Sequence, residues 1–402
     1  MTPPEPPGLV DRWALDPAIV FLNHGSFGAC PRAVLDHQAA LRAEMEAEPV
    51  RFLSRELDGR LDTARAGLAA FLGAEPEDLA FVTNATSGVN AVLRSRRLAP
   101  GDELLVTDHA YNACRNALEF VAERTGARVV VVAVPFPVGG PEAVVAAVLA
   151  GVTPRTRLAL LDHVTSPTAL VLPIERLCAA LGARGVDALV DGAHAPGMVP
   201  LDLGRLGATY YTGNCHKWLC APKGAAFLWV RRDRQREVRP LTISHGATAR
   251  TARSRFHVEF DWTGTADPTP WLTVPTALAC IGGMLPGGWP AVTARNHALA
   301  IEARRMLAAV TGTPPPCPDE MIGSLASVVL SDGPPADIAW RRPDPLQRRL
   351  FDDWRIEVLV ISWPAAPRRL LRVSAQLYNT SADFARLAEA LGKELAAERG
   401  PR

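Results

Sequence analysis

Short apolar runs alternate with helical stretches between about residues 60 and 230 of this 402-residue chain. Each run ends in a polar or glycine-containing turn, and the stretch that follows is rich in Ala, Leu, Arg and Glu. Strands that are apolar almost throughout are typical of a mainly parallel sheet with helices on both faces. The pattern therefore predicts a doubly wound α/β domain with seven strands, at residues 79–84, 103–108, 128–134, 157–164, 187–193, 208–213 and 225–230.

The pattern changes after about residue 275. A helical region and a proline-rich link are followed by two further apolar runs, at 324–330 and 370–377. This arrangement predicts a smaller α+β domain. We expect a large α/β domain over residues 31–275 and a small C-terminal domain over residues 276–402.

Composition and charge favour a soluble globular protein. Hydrophobic residues make up 48% of the chain and the formal net charge is +1, so no basic surface for nucleic acid is indicated. The chain begins without the pattern of a secretory signal, and no apolar run approaches the roughly 18 to 20 residues of a membrane-spanning helix. We therefore expect a cytoplasmic protein that binds neither nucleic acid nor membrane.

Seven cysteines are scattered along the chain without a CxxC pair. An odd and dispersed set indicates neither a disulfide framework nor a zinc site. We expect buried, small apolar cysteines and no metal.

Lysine is scarce, since only three of the 43 basic residues are lysines. A lysine amine can form a Schiff base with a carbonyl cofactor, which arginine cannot do. Lys217 follows a predicted strand and stands beside His216 and Asn214, at the sheet edge where α/β proteins bind ligands. Lys223 belongs to a turn and Lys393 to a terminal amphipathic helix, so Lys217 is the candidate.

Other strand ends offer the groups that a pyridoxal cofactor requires. Asp191 ends a strand and could pair with a pyridinium nitrogen, although capping of a helix is the alternative. A strand-to-helix turn would present the backbone N–H groups of Ala85, Thr86 and Ser87 to a phosphate, or form an ordinary helix cap. The glycine patterns of nucleotide-binding loops are missing from the sequence.

Rings and hydroxyls at neighbouring strand ends could contact the remaining parts of such a cofactor. Either His109 or Tyr111 could lie over its flat ring, and His194 and Ser166 are placed to reach its phenolic oxygen. A single histidine is more often structural, but five of the nine histidines lie at or beyond strand ends, including His24.

These motifs in this order resemble the class V aminotransferase family of fold type I pyridoxal-phosphate enzymes. The resemblance rests on LNHGSFG, VTNATSGVN, DHAYNA, HVTSPTALVLPI, VDGAHAPG, TGNCHKWLCAPKG, DWTGTADPTPWL and LRVSAQLYNT, from about residue 19 to 390. Among its branches the chain is most similar to the isopenicillin N epimerase-like one. The resemblance implies pyridoxal 5′-phosphate as cofactor, an amino-acid substrate and a homodimer with active sites at the subunit interface.

The resemblance also implies roles for individual residues. Lys217 would bind the cofactor covalently, Asp191 would hold the pyridine nitrogen, and Arg372 would bind the substrate carboxylate. An N-terminal segment, residues 1–30, would pack near the active site, although Gly25 and Gly28 fit a purely structural turn equally well. Four further groups are implied: His194 and Ser166 at the phenolic oxygen; Thr86, Ser87, Asn214 and His216 at the phosphate; Gly264 and Thr265 reaching from the other subunit; His24, Gly25 and Ser26 at the substrate.

Several reactions begin in the same way, with removal of the Cα proton by Lys217. Reprotonation from the opposite face gives an epimer, loss of a β-substituent gives a lyase product, and reprotonation at the cofactor gives transamination. Desulfurases need a nucleophilic cysteine before the arginine segment, and residues 358–374 contain none. We favour an amino-acid epimerase with Tyr111 or His24 as second acid/base. The alternatives are a carbon–sulfur β-lyase and, less favoured, an aminotransferase.

Overall fold

The computed structural model describes residues 8–333 and 343–399. Its strands are β1 (Val20–Phe21), β2 (Leu79–Val82), β3 (Glu103–Thr107), β4 (Arg128–Val132), β5 (Thr156–Asp162), β6 (Asp187–Asp191), β7 (Tyr210–Asn214), β8 (Ala226–Val230), β9 (Leu325–Val329), β10 (Ile356–Glu357), β11 (Leu359–Ser362) and β12 (Arg369–Ser374). Its helices are α1 (His24–Phe27), α2 (Arg32–Ala47), α3 (Leu57–Leu72), α4 (Ala85–Ser95), α5 (Asn112–Thr125), α6 (Pro141–Ala150), α7 (Ile174–Gly182), α8 (Arg255–Asp261), α9 (Thr269–Leu272), α10 (Val274–Gly282), α11 (Gly288–Thr311), α12 (Pro345–Asp352) and α13 (Ser381–Arg399).

The large sheet confirms the predicted fold class. Its seven strands run in the order β2-β8-β7-β6-β5-β3-β4, and each lies within one of the predicted apolar runs or overlaps it. Strands β4, β3, β5, β6 and β7 are parallel, whereas β8 runs antiparallel to both of its neighbours. The carboxyl ends of the parallel strands therefore meet at one edge of the sheet, where ligands bind in this architecture.

Both faces of this sheet are buried, as the continuous apolar runs predict. In β3, Leu105 faces the core that contains α3 and α7, whereas Leu104 and Val106 face the core that contains α4, α5 and α8. All three side chains are fully buried. Successive residues of a strand point to opposite faces, so a strand between two helical layers must be apolar at every position.

A smaller antiparallel sheet follows in the C-terminal part, in the order β11-β12-β9. Strands β9 and β12 lie in the two predicted runs, and α11 and α13 pack beside them. Strand β11 was not predicted, because it is an edge strand whose side chains are mostly only half-buried. The boundaries of the two domains stay a prediction, while the central strand β12 carries Arg372.

The described part of the N-terminal segment joins the two halves of the chain. Strand β1 pairs in parallel with β10, and the turn that ends α1 lies against the backbone of His216 and Lys217. Gly28 in that turn has φ +73°, and a Cβ atom there would lie 2.0 Å from the His216 carbonyl oxygen. Lys223 donates to the Gly28 carbonyl at 2.8 Å, so it holds this turn rather than serving only as a solvated turn residue.

Two other features bear on the expectations from composition. All seven cysteines are free, and six of them are buried, with Cys280 half-buried. Across residues 8–333 and 343–399, no helix combines the length and apolar character needed to cross a membrane.

We predict that Gly28→Ala lowers the free energy of unfolding by about 2–4 kcal/mol, because the methyl group overlaps the His216 carbonyl at a glycine-only backbone conformation. Denaturant unfolding measures this change. Gly59→Ala is the matched control, since Gly59 lies in α3 with open space around it and should gain roughly 0.5–1 kcal/mol. Equal stabilities of the two variants would contradict the close approach.

Candidate active site

Lys217 lies in the turn that follows β7. Its Nζ atom is 3.1 Å from Nε2 of His194, and the indole N–H of Trp218 donates to Nδ1 of the same imidazole at 3.4 Å. An indole nitrogen can only donate, so the neutral His194 ring carries its hydrogen on Nε2. His194 therefore donates to Lys217, and only an unprotonated amine can accept that hydrogen bond.

The surroundings of Lys217 favour its unprotonated form. Its pKa is lowered to about 7, chiefly by burial and next by the charge of Arg372, while Asp191 acts in the opposite direction. Burial also lowers the pKa of His194 well below its ordinary value, which keeps that ring neutral. A lysine that is partly unprotonated at neutral pH is both a nucleophile and a base.

Two buried carboxylates end the neighbouring strands β5 and β6. Asp191 accepts from the backbone N–H of Ala193 at 3.0 Å and from the thiol of Cys114 at 3.1 Å. Asp162 stands beside Asp191 in the strand register and accepts from the backbone N–H of Tyr111 at 3.2 Å. Burial raises the pKa of both carboxyls, and the charge of Asp191 raises that of Asp162 further. The pair therefore favours one negative charge over two.

The sequence prediction missed Asp162 and Cys114. Asp162 carried a signal, because it lies near the end of a predicted strand just as Asp191 does, as the first residue of DHVTSP. Cys114 carried little signal in the sequence, since a scattered cysteine in a helix is usually an apolar core residue.

The first turn of α4 is held by two asparagines. Asn84 caps the helix by accepting from the Ser87 N–H at 2.8 Å, and Asn214 at the end of β7 accepts from the Ala85 N–H at 2.8 Å. The expectation that all three N–H groups face outward is therefore corrected, because Ala85 and Ser87 already have side-chain partners. The Thr86 N–H remains at this turn, while the Ser87 hydroxyl also donates to Oδ1 of Asn84 at 3.1 Å and lies 3.1 Å from the Thr83 hydroxyl.

His216 lies beside this turn and is also fixed by the backbone. Its Nδ1 donates to the Ala225 carbonyl at 2.8 Å, so the neutral ring is an acceptor at Nε2. Its pKa is lowered to about 4, chiefly by burial. A phosphate placed nearby would raise that pKa, because an anion stabilises the charged imidazolium.

Of the two rings predicted to stack on a cofactor, the geometry favours Tyr111. His109 is 2.8 Å from the Thr168 hydroxyl through Nδ1 and donates to the Val134 carbonyl at 3.1 Å through Nε2. Its ring is 4.5 Å from that of Trp363, within a separate aromatic cluster. Both nitrogens of His109 are thus used in packing the sheet edge, whereas the Tyr111 side chain is 44% exposed.

Arg372 is a buried cation with uncharged partners. One guanidinium nitrogen donates to the Ser166 carbonyl at 2.6 Å and to its hydroxyl at 3.2 Å, and another donates to the Ser26 hydroxyl at 3.1 Å. Its Nε has no partner among the described residues. Burial lowers the pKa of Arg372 to about 10. A buried charge without a counter-ion is costly, so this guanidinium is suited to receive a carboxylate.

His24 supports the backbone of Lys217. Its Nδ1 accepts from the Ala29 N–H at 3.2 Å and lies 2.9 Å from the Tyr378 hydroxyl, so its hydrogen is on Nε2, which donates to the Lys217 carbonyl at 3.0 Å. Burial lowers its pKa to about 3. These contacts correct the expectation that His24 faces the substrate as a second acid/base, because both nitrogens are committed and the ring is fully buried.

The other residues predicted near the substrate or partner occupy different positions. Gly25 donates to the Ser374 hydroxyl at 2.9 Å, and a Cβ atom there would lie 2.7 Å from Leu325, so this glycine is required by packing. Gly264, with φ +132°, and Thr265 lie on an exposed turn. Ser26 reaches the site through its hydrogen bond to Arg372.

The site thus combines a nucleophilic lysine, a strand-end carboxylate, a helix N-terminus and a carboxylate-seeking arginine. This combination is typical of a pyridoxal-phosphate enzyme that acts at the Cα atom of an amino acid. Aminotransferase class V matches residues 20–339, and the chain belongs to that family. Enzymes of this family depend on pyridoxal 5′-phosphate, which confirms the expected cofactor.

Similar proteins span nearly the whole chain. It is 42% identical to isopenicillin N epimerase of Amycolatopsis lactamdurans, over 96% of this chain and 97% of that protein. It is 32% identical to a probable chloroplastic L-cysteine desulfhydrase of Arabidopsis thaliana, over 94% of this chain and 83% of that protein. The structure of C-DES with glycine covalently linked to its PLP cofactor has a TM-score of 0.77 at 21% identity, over 93% and 96% of the two chains, and shows the same fold.

The donor set fits this cofactor. Lys217 offers an unprotonated amine, Asp191 a buried carboxylate with both oxygens oriented, and Arg372 a guanidinium with an unpartnered Nε. These groups match, in turn, an aldehyde, a ring nitrogen that needs an anionic partner, and the carboxylate of an amino acid.

We predict that Lys217 reacts with a small aldehyde and a reductant half-maximally near pH 7 in cofactor-free protein, since only the unprotonated amine reacts. Arg372→Gln should move this midpoint upward by roughly one unit, because a neighbouring positive charge is removed. Peptide mass spectrometry measures methylation at each of the three lysines. Arg305→Gln, at a 67% exposed side chain, is the control, and an unshifted midpoint in Arg372→Gln would refute the coupling.

Proposed function

We propose that this protein is a pyridoxal-phosphate-dependent amino-acid epimerase of the isopenicillin N type. The observation that carries the proposal is the position of the Lys217 amine, 3.1 Å from His194, where burial and the charge of Arg372 lower its pKa to about 7. The 42% identity to an isopenicillin N epimerase supports this choice of reaction. The substrate would be an amino acid, or a larger molecule that ends in one, with a free amine and carboxylate at the same carbon.

The proposed cofactor contacts follow the positions of the polar groups. Lys217 would carry the cofactor, Asp191 would face the ring nitrogen, and His194 with Ser166 would lie near the phenolic oxygen. The phosphate would lie at the first turn of α4, held by groups of Thr86, Ser87, Asn214 and His216. When bound, pyridoxal phosphate withdraws electrons from the Cα of the attached amino acid and so acidifies its Cα–H bond.

The residues of this chain would then orient the substrate and move the proton. Arg372 would bind the carboxylate through its outward N–H groups, with Ser166 and Ser26 fixing the guanidinium plane. Lys217 would remove the Cα proton, since its lowered pKa of about 7 leaves it a base near neutrality. Asp191 would stabilise the negative charge that develops, through the ring nitrogen it faces.

Inversion requires a proton donor on the face opposite Lys217, and we assign it to Tyr111. Burial raises the pKa of Tyr111, so the phenol is protonated and can act as an acid. Its hydroxyl is within electrostatic range of Asp191 and Arg372, which puts it at the same site. His24, the other candidate, has both ring nitrogens engaged.

A carbon–sulfur β-lyase is the second candidate. The 32% identity to a probable L-cysteine desulfhydrase favours it over transamination. Lysine, carboxylate and arginine would have the same roles, and the products alone would differ. The β11–β12 turn, residues 363–368, contains no cysteine, which argues against a desulfurase.

The proposed assembly is a homodimer. Gly264 and Thr265 lie on an exposed turn with open space around the glycine, as expected of residues that contact a second copy. In this arrangement the turn would complete the phosphate site of the partner.

We predict that the protein incorporates solvent deuterium at Cα with inversion when candidate amino acids are incubated in deuterated water. Proton NMR and chiral chromatography measure exchange and inversion together. Lys217→Ala should reduce exchange by at least about a thousandfold, because the covalent link and the base are both lost. Release of sulfide with a keto acid, without inversion, would replace the epimerase by the lyase.

We also predict that Tyr111→Phe separates exchange from inversion. Lys217 would still remove and return the proton on its own face, so deuterium exchange with retention should persist, whereas inversion should fall by about a hundredfold or more. Comparing the two rates in one NMR experiment makes the test independent of substrate affinity. Parallel loss of exchange and inversion would remove Tyr111 from the role of second acid/base.

A further inference from the structure

Both oxygens of Asp191 are held by the protein, and one of the donors is unusual. The backbone N–H of Ala193 binds Oδ1 at 3.0 Å, whereas the thiol of Cys114 binds Oδ2 at 3.1 Å. Asp191 is 3% exposed and Cys114 is 1% exposed, so water does not compete for this contact. Among the described residues, Cys114 is the only one whose side chain donates a hydrogen bond to this carboxylate.

The direction of the hydrogen bonds around Cys114 follows from chemistry. An ionised carboxylate only accepts, so the thiol hydrogen must point to Asp191. Thr86, in the first turn of α4, acts in the direction that favours the thiolate of Cys114, but burial and the charge of Asp191 dominate and raise the pKa of this thiol well above its ordinary value. The thiol of Cys114 therefore links the first turn of α5 to the end of β6.

The position of Cys114 in the fold makes this contact rigid. It lies in the first turn of α5, and that helix packs against α4. Three residues earlier, the Tyr111 N–H binds Asp162, the carboxylate beside Asp191. The start of α5 is thus tied to both carboxylates, so a change in one tie affects the position of the other.

We propose that Cys114 is a positioning residue, whose thiol orients Asp191 toward the ring nitrogen of the cofactor and maintains its negative charge. This proposal rests on the proposed function, in which Asp191 faces that nitrogen. Beside a second buried carboxylate, Asp191 would otherwise share its charge with Asp162. A donor on Asp191 selects that carboxylate as the ionised one, because a hydrogen bond to the charged form stabilises it.

The alternative is that Cys114 merely fills space between α5 and the sheet. The two roles are preserved by different substitutions. A space-filling role is met by Cys114→Val, which is apolar and packs well, whereas a donor role is met by Cys114→Ser, which keeps a hydrogen to donate.

We expect Cys114→Val to lower kcat about fivefold with little change in KM. This is the effect expected when Asp191 loses one ordinary hydrogen bond and stabilises the charge that develops in the reaction less well. The acid limb of its pH–rate profile should move upward by about 0.5 to 1 unit, because Asp191 loses a donor to its ionised form. Cys114→Ser should retain the wild-type profile within about twofold in kcat. Cys178→Val, at a fully buried cysteine of α7, is the packing control and should leave both quantities unchanged.

The contact itself is measurable without turnover. An S–H stretch that is present in wild type and absent in Cys114→Ser identifies this thiol by infrared difference spectroscopy, and a hydrogen bond to a carboxylate lowers its frequency. Asp191→Leu should raise the frequency of that band toward that of a free thiol. A wild-type band already at the free-thiol position, or normal kcat in Cys114→Val with loss in Cys114→Ser, would overturn the proposal.

These outcomes are separable from failure of the proposed function. If Lys217→Ala kept the cofactor's visible absorbance, the cofactor assignment would fail while the infrared band would still report the thiol contact. If Lys217→Ala lost the cofactor's visible absorbance and the pH profile of Cys114→Val matched that of the wild type, only the role assigned to Cys114 would fail.

Discussion

The close approach of two basic side chains, Lys217 and Arg372, is the constraint on which the site depends. Arg372 is fully buried and Lys217 is half-buried, and the charge of Arg372 adds to the burial that lowers the pKa of Lys217 to about 7. A folded chain can keep such a pair only if the amine gives up its proton or anions are close. The surrounding contacts supply both solutions, since His194 donates to the neutral amine and Asp191 is near.

The backbone carrying Lys217 is fixed from the N-terminal side of the chain. Gly28 lets that segment approach His216 more closely than any other residue could, and His24 donates to the Lys217 carbonyl. Strand β1 pairs with β10, so the same segment is tied to the part of the chain that carries Arg372. The distance between the base and the carboxylate-binding group is therefore set by packing rather than by a flexible loop.

The sequence was sufficient for the seven-stranded sheet, because strands buried on both faces are apolar at every position. Its scarcity of lysine also singled out Lys217, since arginine serves elsewhere wherever charge alone is needed, and the covalent role of Lys217 stays a prediction. Partners could not be predicted in the same way. The contact of His24 with Tyr378, the capping of Ala85 by Asn214 and the thiol contact of Cys114 join residues far apart in the chain, and hydrogen-bond direction has no signal in residue order.

Protonation states of the two proposed acid/base groups decide how an epimerase of this kind would turn over. Tyr111 is a phenol with a raised pKa, so it carries its proton at neutral pH, and the phenolate left after it donates is a strong base. Lys217, with its pKa of about 7, exists in both forms near neutrality. After one inversion the lysine would hold the proton and the tyrosine would lack it, a state that the buried site disfavours. Return of a proton to Tyr111 therefore requires access to water on the tyrosine side, and the 44% exposure of Tyr111 provides it.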